Sequence, residues 1–199
     1  MFKTAASALL LSLAALPVTS LPSSAETAIF AGGCFWCVES DMDQVPGVTE
    51  TISGYSGGTL KDPTYQNHEG HREVLKVEFD PAKISYDQLV TTFLRTIDPT
   101  DDGGQFCDRG HAYTTAVYAV GDAQLASATK AKADAEAQLG TKLALEVAPA
   151  SEFTVAEDYH QDYYNVNPAK YKYYRFACGR EARVKEVWGA DAYKGVPSH

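Results

Sequence analysis

Residues 32–39 read Gly32-Gly33-Cys34-Phe35-Trp36-Cys37-Val38-Glu39. The segment before them predicts a short strand over 27–31, and the apolar spacing after them predicts a helix over 34–45. The two glycines turn the chain between these elements, so Cys34 sits at a strand-to-helix junction. The unpaired N–H groups and positive end of a helix favour thiolate over thiol, and the thiolate is the nucleophile. Phe35 and Trp36 stand beside it as an apolar wall.

Downstream, residues 48–55 and 74–79 alternate as strands, with Val74, Lys76 and Glu78 opposing Leu75, Val77 and Phe79, and a turn-rich loop lies between them. Ser85 is a suitable N-cap for a helix over 86–97, whose Leu89, Val90, Phe93, Leu94 and Ile97 fall on one face before Asp98-Pro99 ends it. Residues 100–110 hold three glycines and three aspartates and read as a loop. A strand over 112–120, a long alanine-rich helix over 122–139 with Gly140 as its C-cap, a strand over 145–153 and a short helix over 157–165 follow. Several strand pairs are joined by loops too short for a crossover helix. This pattern predicts an α/β fold, a two-layer sandwich with a mixed sheet, in a single domain.

Residues 1–25 carry one early cation, Lys3, an apolar run over 5–16 and small residues at Ser23 and Ala25. They read as a cleaved secretory signal peptide, the run being well short of the roughly 20 residues that span a bilayer. Residues 26–199 are then the catalytic domain, expected in the periplasm if the source is Gram-negative and free of the membrane once the leader is removed. The chain has 26 acidic and 17 basic residues, which disfavours nucleic acid as a partner. Arg175, Arg180, Arg183 and Lys185 read as a solvated helix face. Four cysteines, Cys34, Cys37, Cys107 and Cys178, are too few for a disulfide scaffold at this length, so they read as chemistry first and staples second.

The Gly-Cys-Phe-Trp run resembles the nucleophile signature of the type A peptide methionine sulfoxide reductases, and further blocks continue the likeness in order. Tyr65 in Asp62-Pro63-Thr64-Tyr65 stands where the family has an oxygen-binding tyrosine, and Glu73 in Gly70-His71-Arg72-Glu73-Val74 where it has its acid. Asp98-Pro99-Thr100 and then Asp108-Arg109-Gly110-His111-Ala112-Tyr113 match a later signature in which Asp108 and Tyr113 complete the site. Glu157-Asp158-Tyr159-His160-Gln161 and Asn167-Pro168 match a block near the C-terminus. The resemblance implies a ferredoxin-like sandwich wrapped in much irregular chain and specificity for the S epimer of peptidyl and free methionine sulfoxide; with the leader, the expected role is repair of oxidised exported proteins by a monomer whose thiol chemistry needs no cofactor and no metal.

The chemistry fits these residues. Cys34 attacks the sulfoxide sulfur, Phe35 and Trp36 hold the methyl end, and the oxygen remains on Cys34 as a sulfenic acid that a second thiol condenses into a disulfide. Cys37 is the expected resolving cysteine, because residues three apart share a helix face at about 5–6 Å between Cβ atoms. Cys107 and Cys178 are the alternatives, or pair with each other as staple or relay. A disulfide made at each turnover needs an external thioredoxin-like reductant. A thioredoxin-like dithiol oxidoreductase built on Cys34 and Cys37 is the competing reading, though no proline suits the cis position such a fold requires. His68 and His71 with Cys34 and Cys37 would be a poor zinc site, since the histidines lie in a turn-rich loop and the Cys-x-x-Cys pair has no matching partner pair.

Overall fold

A computed structural model describes residues 24–197. All but the last two residues of the expected leader lie outside the described residues.

The chain begins with β1 (Glu26–Gly32), whose alternate residues are buried on both faces, as befits a central strand. A turn leads to α1 (Phe35–Met42), then to β2 (Val48–Ser56), β3 (Arg72–Phe79) and α2 (Tyr86–Leu94). After a small hairpin of β4 (Gly104–Gln105) and β5 (Asp108–Arg109) come β6 (Thr115–Ala119) and α3 (Asp122–Leu139). The order across the main sheet is β7-β6-β1-β3-β2-β8, where β7 is Glu146–Pro149 and β8 is Thr154–Val155. All pairs are antiparallel except β6 with β7, so the sheet is mixed. Within it, β1-α1-β2-β3-α2-β6 makes the ferredoxin-like split βαβ arrangement, extended by one strand at each edge.

Two apolar layers follow from the pleat. Ala28, Phe30, Leu75, Val77, Phe79 and Val117 face the helices, where Phe30 stacks on Phe93 of α2 with ring centroids 4.5 Å apart. Ile29, Ala31, Val74, Ala116 and Tyr118 face the other way, packed against Ala148 of β7 and Ala150 and Phe153 of the chain that follows it. Ser85 caps α2 with a reciprocal box, its Oγ accepting from the Gln88 N–H at 3.3 Å while Gln88 Oε1 accepts from the Ser85 N–H at 3.0 Å. Gly140 closes α3 in the left-handed region at φ +66.

Several predicted boundaries move. The segment 100–110 is not wholly loop, because β4 and β5 pair within it. The strand expected from residue 112 begins at Thr115, after a single 3-10 turn at His111–Tyr113. The expected strand over 145–153 ends at Pro149, and the expected helix over 157–165 is a 3-10 turn at Asp158–His160 followed by α4 (Tyr163–Val166). Beyond it, α5 (Pro168–Ala177) and α6 (Arg180–Trp188) complete the domain. They also correct the reading of the arginines as a solvated face. Arg175 and Arg180 are buried and both reach Asp41 of α1, at 2.7 and 3.7 Å, while Arg183 pairs with buried Asp98 at 2.7 Å and Lys185 alone is exposed. Burial of such charges is tolerated because each is paired and hydrogen-bonded. No described helix is long and apolar enough to cross a membrane.

Candidate active site

The strand-to-helix junction is built by close packing. A side chain on Gly32 would lie 2.8 Å from Val38 Cγ2 and 2.9 Å from Phe93 Cε2, so the end of β1 touches both helices. Gly33 adopts φ +81, and a Cβ there would stand 2.5 Å from that of Gln105. Gln105 is locked in turn to Asp98, whose N–H donates to Gln105 Oε1 at 2.9 Å and whose carbonyl accepts from Nε2 at 2.7 Å. Cys34 therefore becomes the N-cap of α1, its carbonyl accepting from the Cys37 and Val38 N–H groups at 3.0 and 3.3 Å.

Above it lies a cleft of about 100 Å³ lined by Cys34, Phe35, Trp36, Tyr65, Glu73, Asp108, Tyr113 and Tyr174. Every candidate outside the resolving cysteines is thus brought together, although Tyr65 comes from the loop after β2, Glu73 from β3, Asp108 from β5 and Tyr113 from the 3-10 turn before β6. A larger groove of about 640 Å³ along α2 and residues 194–197 carries no cysteine and none of the candidate residues, and is not this site.

Glu73 is 2 % exposed and accepts the Phe35 N–H at 3.0 Å, satisfying one of the open donors at the start of α1. Burial pushes its carboxyl up to about 8, and the Asp108 and Cys37 charges add to this, outweighing the opposing Phe35 and Tyr113 hydrogen bonds. The protonated form is the one present at neutral pH. Burial also raises the Tyr65 and Tyr113 hydroxyls, with the Glu73 charge adding to each, so both remain donors.

The two free thiols divide the work of ionisation unexpectedly. Cys34 is pushed well up by burial, by its hydrogen bond with Cys37 and by the charges of Cys37 and Glu73. Cys37 is lowered, first by accepting the Cys34 hydrogen bond and then by the positive charges of Arg180 and Arg175, against its own burial. The start of an eight-residue helix does not by itself ionise Cys34; of the two thiols, Cys37 beside the arginines is the more readily ionised.

Residues that sequence reading left without a role hold the aromatic wall. The Trp36 Nε1–H donates to His160 Nδ1 at 3.1 Å, and the indole stacks on Tyr163 with centroids 3.7 Å apart. His160 is buried, which lowers its pKa and keeps the acceptor nitrogen free of a proton. Its ring also meets Phe35 at 4.9 Å and Tyr65 at 4.6 Å. Glu157 accepts from the Tyr65 N–H at 2.9 Å and the Tyr55 hydroxyl at 3.0 Å, tying the loop to the sheet. Tyr174 lines the cleft, standing edge-on to Trp36 and donating its hydroxyl to Asp108. The one signal for it was helical phase, since Tyr171, Tyr174 and Cys178 share a face of α5 and its C-cap.

The other two cysteines form a disulfide, Cys107–Cys178. His71 is buried with Nδ1 accepting the Gly58 N–H at 3.3 Å and Nε2 at 2.9 Å from the Leu60 carbonyl, while His68 stacks on Tyr55, 5.2 Å between centroids. The loop histidines are committed to structure.

A family profile described as peptide methionine sulfoxide reductase matches residues 26–192. Peptide methionine sulfoxide reductase MsrA 2 of Rhizobium meliloti (strain 1021) is 56% identical over 171 residues, covering 85% of this chain and 86% of that protein. Methionine sulfoxide reductase A of Corynebacterium diphtheriae has a structure similar to this one at TM-score 0.70 and 30% identity, over 73% of this chain and 76% of that one. Mxr1 from Saccharomyces cerevisiae, solved in complex with Trx2, shares the fold at TM-score 0.51 and 24% identity, over 73% of this chain and 89% of that one. The cysteine cleft, the ferredoxin-like sheet beneath it and a match spanning nearly all of the described chain agree, and the chain belongs to the peptide methionine sulfoxide reductase family, type A.

Proposed function

We propose that this chain reduces the S epimer of methionine sulfoxide, in peptides and as the free amino acid, through a sulfenic acid on Cys34 and a disulfide to Cys37. The observation that carries this is the pairing, in one small cleft, of a cysteine sulfur with a buried carboxyl still protonated at neutral pH. The Cys34 sulfur attacks the sulfoxide, Glu73 gives its proton to the oxygen, and Tyr65 and Tyr113 hold that oxygen by hydrogen bonds. Phe35 and Trp36 receive the methyl group. The thioether departs and the oxygen stays on Cys34. Cys37 then attacks Cys34, and the hydroxyl leaves as water.

The interaction of Cys37 with Cys34 and with the arginine charges, which lowers its pKa relative to an ordinary thiol, favours it as resolving thiol, since the thiolate is the attacking form. Cys107 and Cys178, already joined, have no free thiol to offer. A thioredoxin-like donor restores the dithiol by exchange, a role consistent with the Trx2 complex of the yeast fold relative. Mass spectrometry after one equivalent of each sulfoxide epimer tests the reading. Consumption of the S epimer alone, with a new Cys34–Cys37 bridge and a persistent sulfenic acid in Cys37→Ser, is expected; a first bridge from Cys34 to Cys107 or Cys178 would refute it.

The protein acts, in this reading, on oxidised methionine in exported proteins, as a monomer. Lys3 and the apolar run over 5–16 support export, and cleavage after Ala25 would leave β1 whole from its first residue, Glu26. Sequencing of the protein recovered from cells should give an N-terminus close to Glu26. An N-terminus that retains Leu9 would contradict export.

A further inference from the structure

Three successive residues of the β4–β5 hairpin, its two turn residues and the first of β5, are each gripped by a residue at the α5–α6 corner. Phe106 lies under the Arg180 guanidinium, 4.6 Å from carbon to ring centroid. Cys107 is bonded to Cys178, with Cα atoms 5.0 Å apart. Asp108 accepts the Tyr174 hydroxyl. The turn needs such support: it is a two-residue hairpin without the usual Asn-Gly, and Phe106 sits at φ +56, where a bulky residue stays only if its surroundings hold it. An Asp108 carboxylate oxygen and both sulfurs lie within 4.8 Å of one another. Tyr174 is one helical turn before Cys178, so the bond that fixes the turn also fixes where this hydroxyl reaches. It shares the small cleft with Cys34 and stands close enough to that sulfur to act on its ionisation.

We propose that Tyr174 is a catalytic residue of the reductase step, carrying the Cys34 proton to Asp108, and that the Cys107–Cys178 disulfide is the clamp that positions it and stays outside the electron path. This rests on the reading above, in which Cys34 attacks and Cys37 resolves. Cys34 is a thiol at rest and must lose its proton as it attacks. The Tyr174 oxygen takes that proton while its own passes to Asp108. The sulfoxide S–O bond breaks and a Cys34 S–O bond forms; methionine sulfur gains the electron pair, Cys34 sulfur is oxidised, and Glu73 protonates the oxygen. When Cys37 closes the disulfide, the hydroxyl leaves as water with the Asp108 proton, and the Cys37 proton returns to Glu73. Two thiols supply both electrons, and Cys107 and Cys178 neither gain nor lose any.

Cys37 of α1 and Glu73 of β3 face Cys34 from below, Tyr65 and Tyr113 from the loops, and Arg180 of α6 lies near Asp108. Tyr174→Phe leaves all of these in place and keeps the ring against Trp36. Single turnovers of methionine S-sulfoxide, started from protein with free Cys34 and Cys37 and an intact clamp, should be slowed about 10²-fold near neutral pH. The deficit should shrink as pH rises and solvent base takes over the proton. A rate equal to the parent's, or a loss that is the same at every pH, overturns the proton role.

Alkylation with mass analysis during thioredoxin-supported turnover should leave Cys107 and Cys178 unlabelled. The Cys107→Ser/Cys178→Ser double variant should show the same pH-dependent slowing as Tyr174→Phe yet still be recycled by thioredoxin. A normal single turnover with recycling lost, or labelling of the pair in the parent, would make the disulfide a relay and overturn the clamp. If the double variant does not fold, the parent labelling and Tyr174→Phe still decide. Failure of the underlying reading is separate, because it appears as a mapped bridge other than Cys34–Cys37.

Discussion

Cys34→Ser is expected to leave no measurable sulfoxide reduction while the protein folds normally. Serine fits the N-cap of α1 at least as well as cysteine, so stability should be kept or slightly improved. The chemistry is lost because a serine hydroxyl stays protonated at neutral pH and a hydroxyl oxygen is a poor nucleophile for sulfur. No neighbour substitutes for it: Cys37 is 2 % exposed and lies behind Cys34, outside the cleft lining. The measurement is product formation with dithiothreitol as reductant. Activity within tenfold of the parent would make Cys34 structural and remove the mechanism.

Glu73→Gln is expected to slow the reductase step by about 10²–10⁴-fold, the usual range for losing a general acid. The amide can still accept the Phe35 N–H but has no proton to give to the sulfoxide oxygen. The parent carries its own pH signature. With the carboxyl at about 8, the acid form is full below that value, and the single-turnover rate falls as pH rises through it. The same shift acts on stability. The unfolded carboxyl ionises near its ordinary value of 4.5 and the folded one near 8, so the folded state binds this proton more tightly and stability from this group declines as pH rises between those values. Glutamine does not titrate, so the variant should resist denaturant better than the parent at pH 8, by on the order of a few kcal/mol, while catalysing far more slowly. A variant equal to the parent in single-turnover rate would remove Glu73 from the mechanism.

Cys34, Tyr65, Glu73, Asp108 and Tyr113 were legible because each lies in a short block whose neighbours also match, and the alternation of strands and helices was legible because β1, α1, β2, β3 and α2 show clean periodicity, while the ferredoxin-like form came from the resemblance alone. The hairpin at 104–109 was not. Two-residue strands have no period to detect, and Phe106 holds its turn through Arg180 and the disulfide beside it, not through local preference. Arg180 was misread for a related reason: charge in a sequence argues for solvent, and only the fold brings Asp41 and the carbonyls of Gly32 and Thr96 to meet it. Tyr174 was hidden in the run Tyr171-Lys172-Tyr173-Tyr174, where Tyr173 is 76 % exposed and one residue later the ring enters the cleft. His160 and Tyr163 lie in or beside a matched block, but their grip on Trp36 is a contact across more than a hundred residues, which no spacing encodes.

The uneven ionisation of Cys34 and Cys37 bears on how such an enzyme survives its surroundings. Peroxides attack sulfur that is both ionised and within reach. At rest Cys34 lines the cleft but keeps its proton, and Cys37, the more readily ionised of the two, is buried and outside that lining. Neither meets both conditions until a sulfoxide seats in the cleft, so the repair enzyme can persist among the very oxidants that make its substrate without being consumed by them.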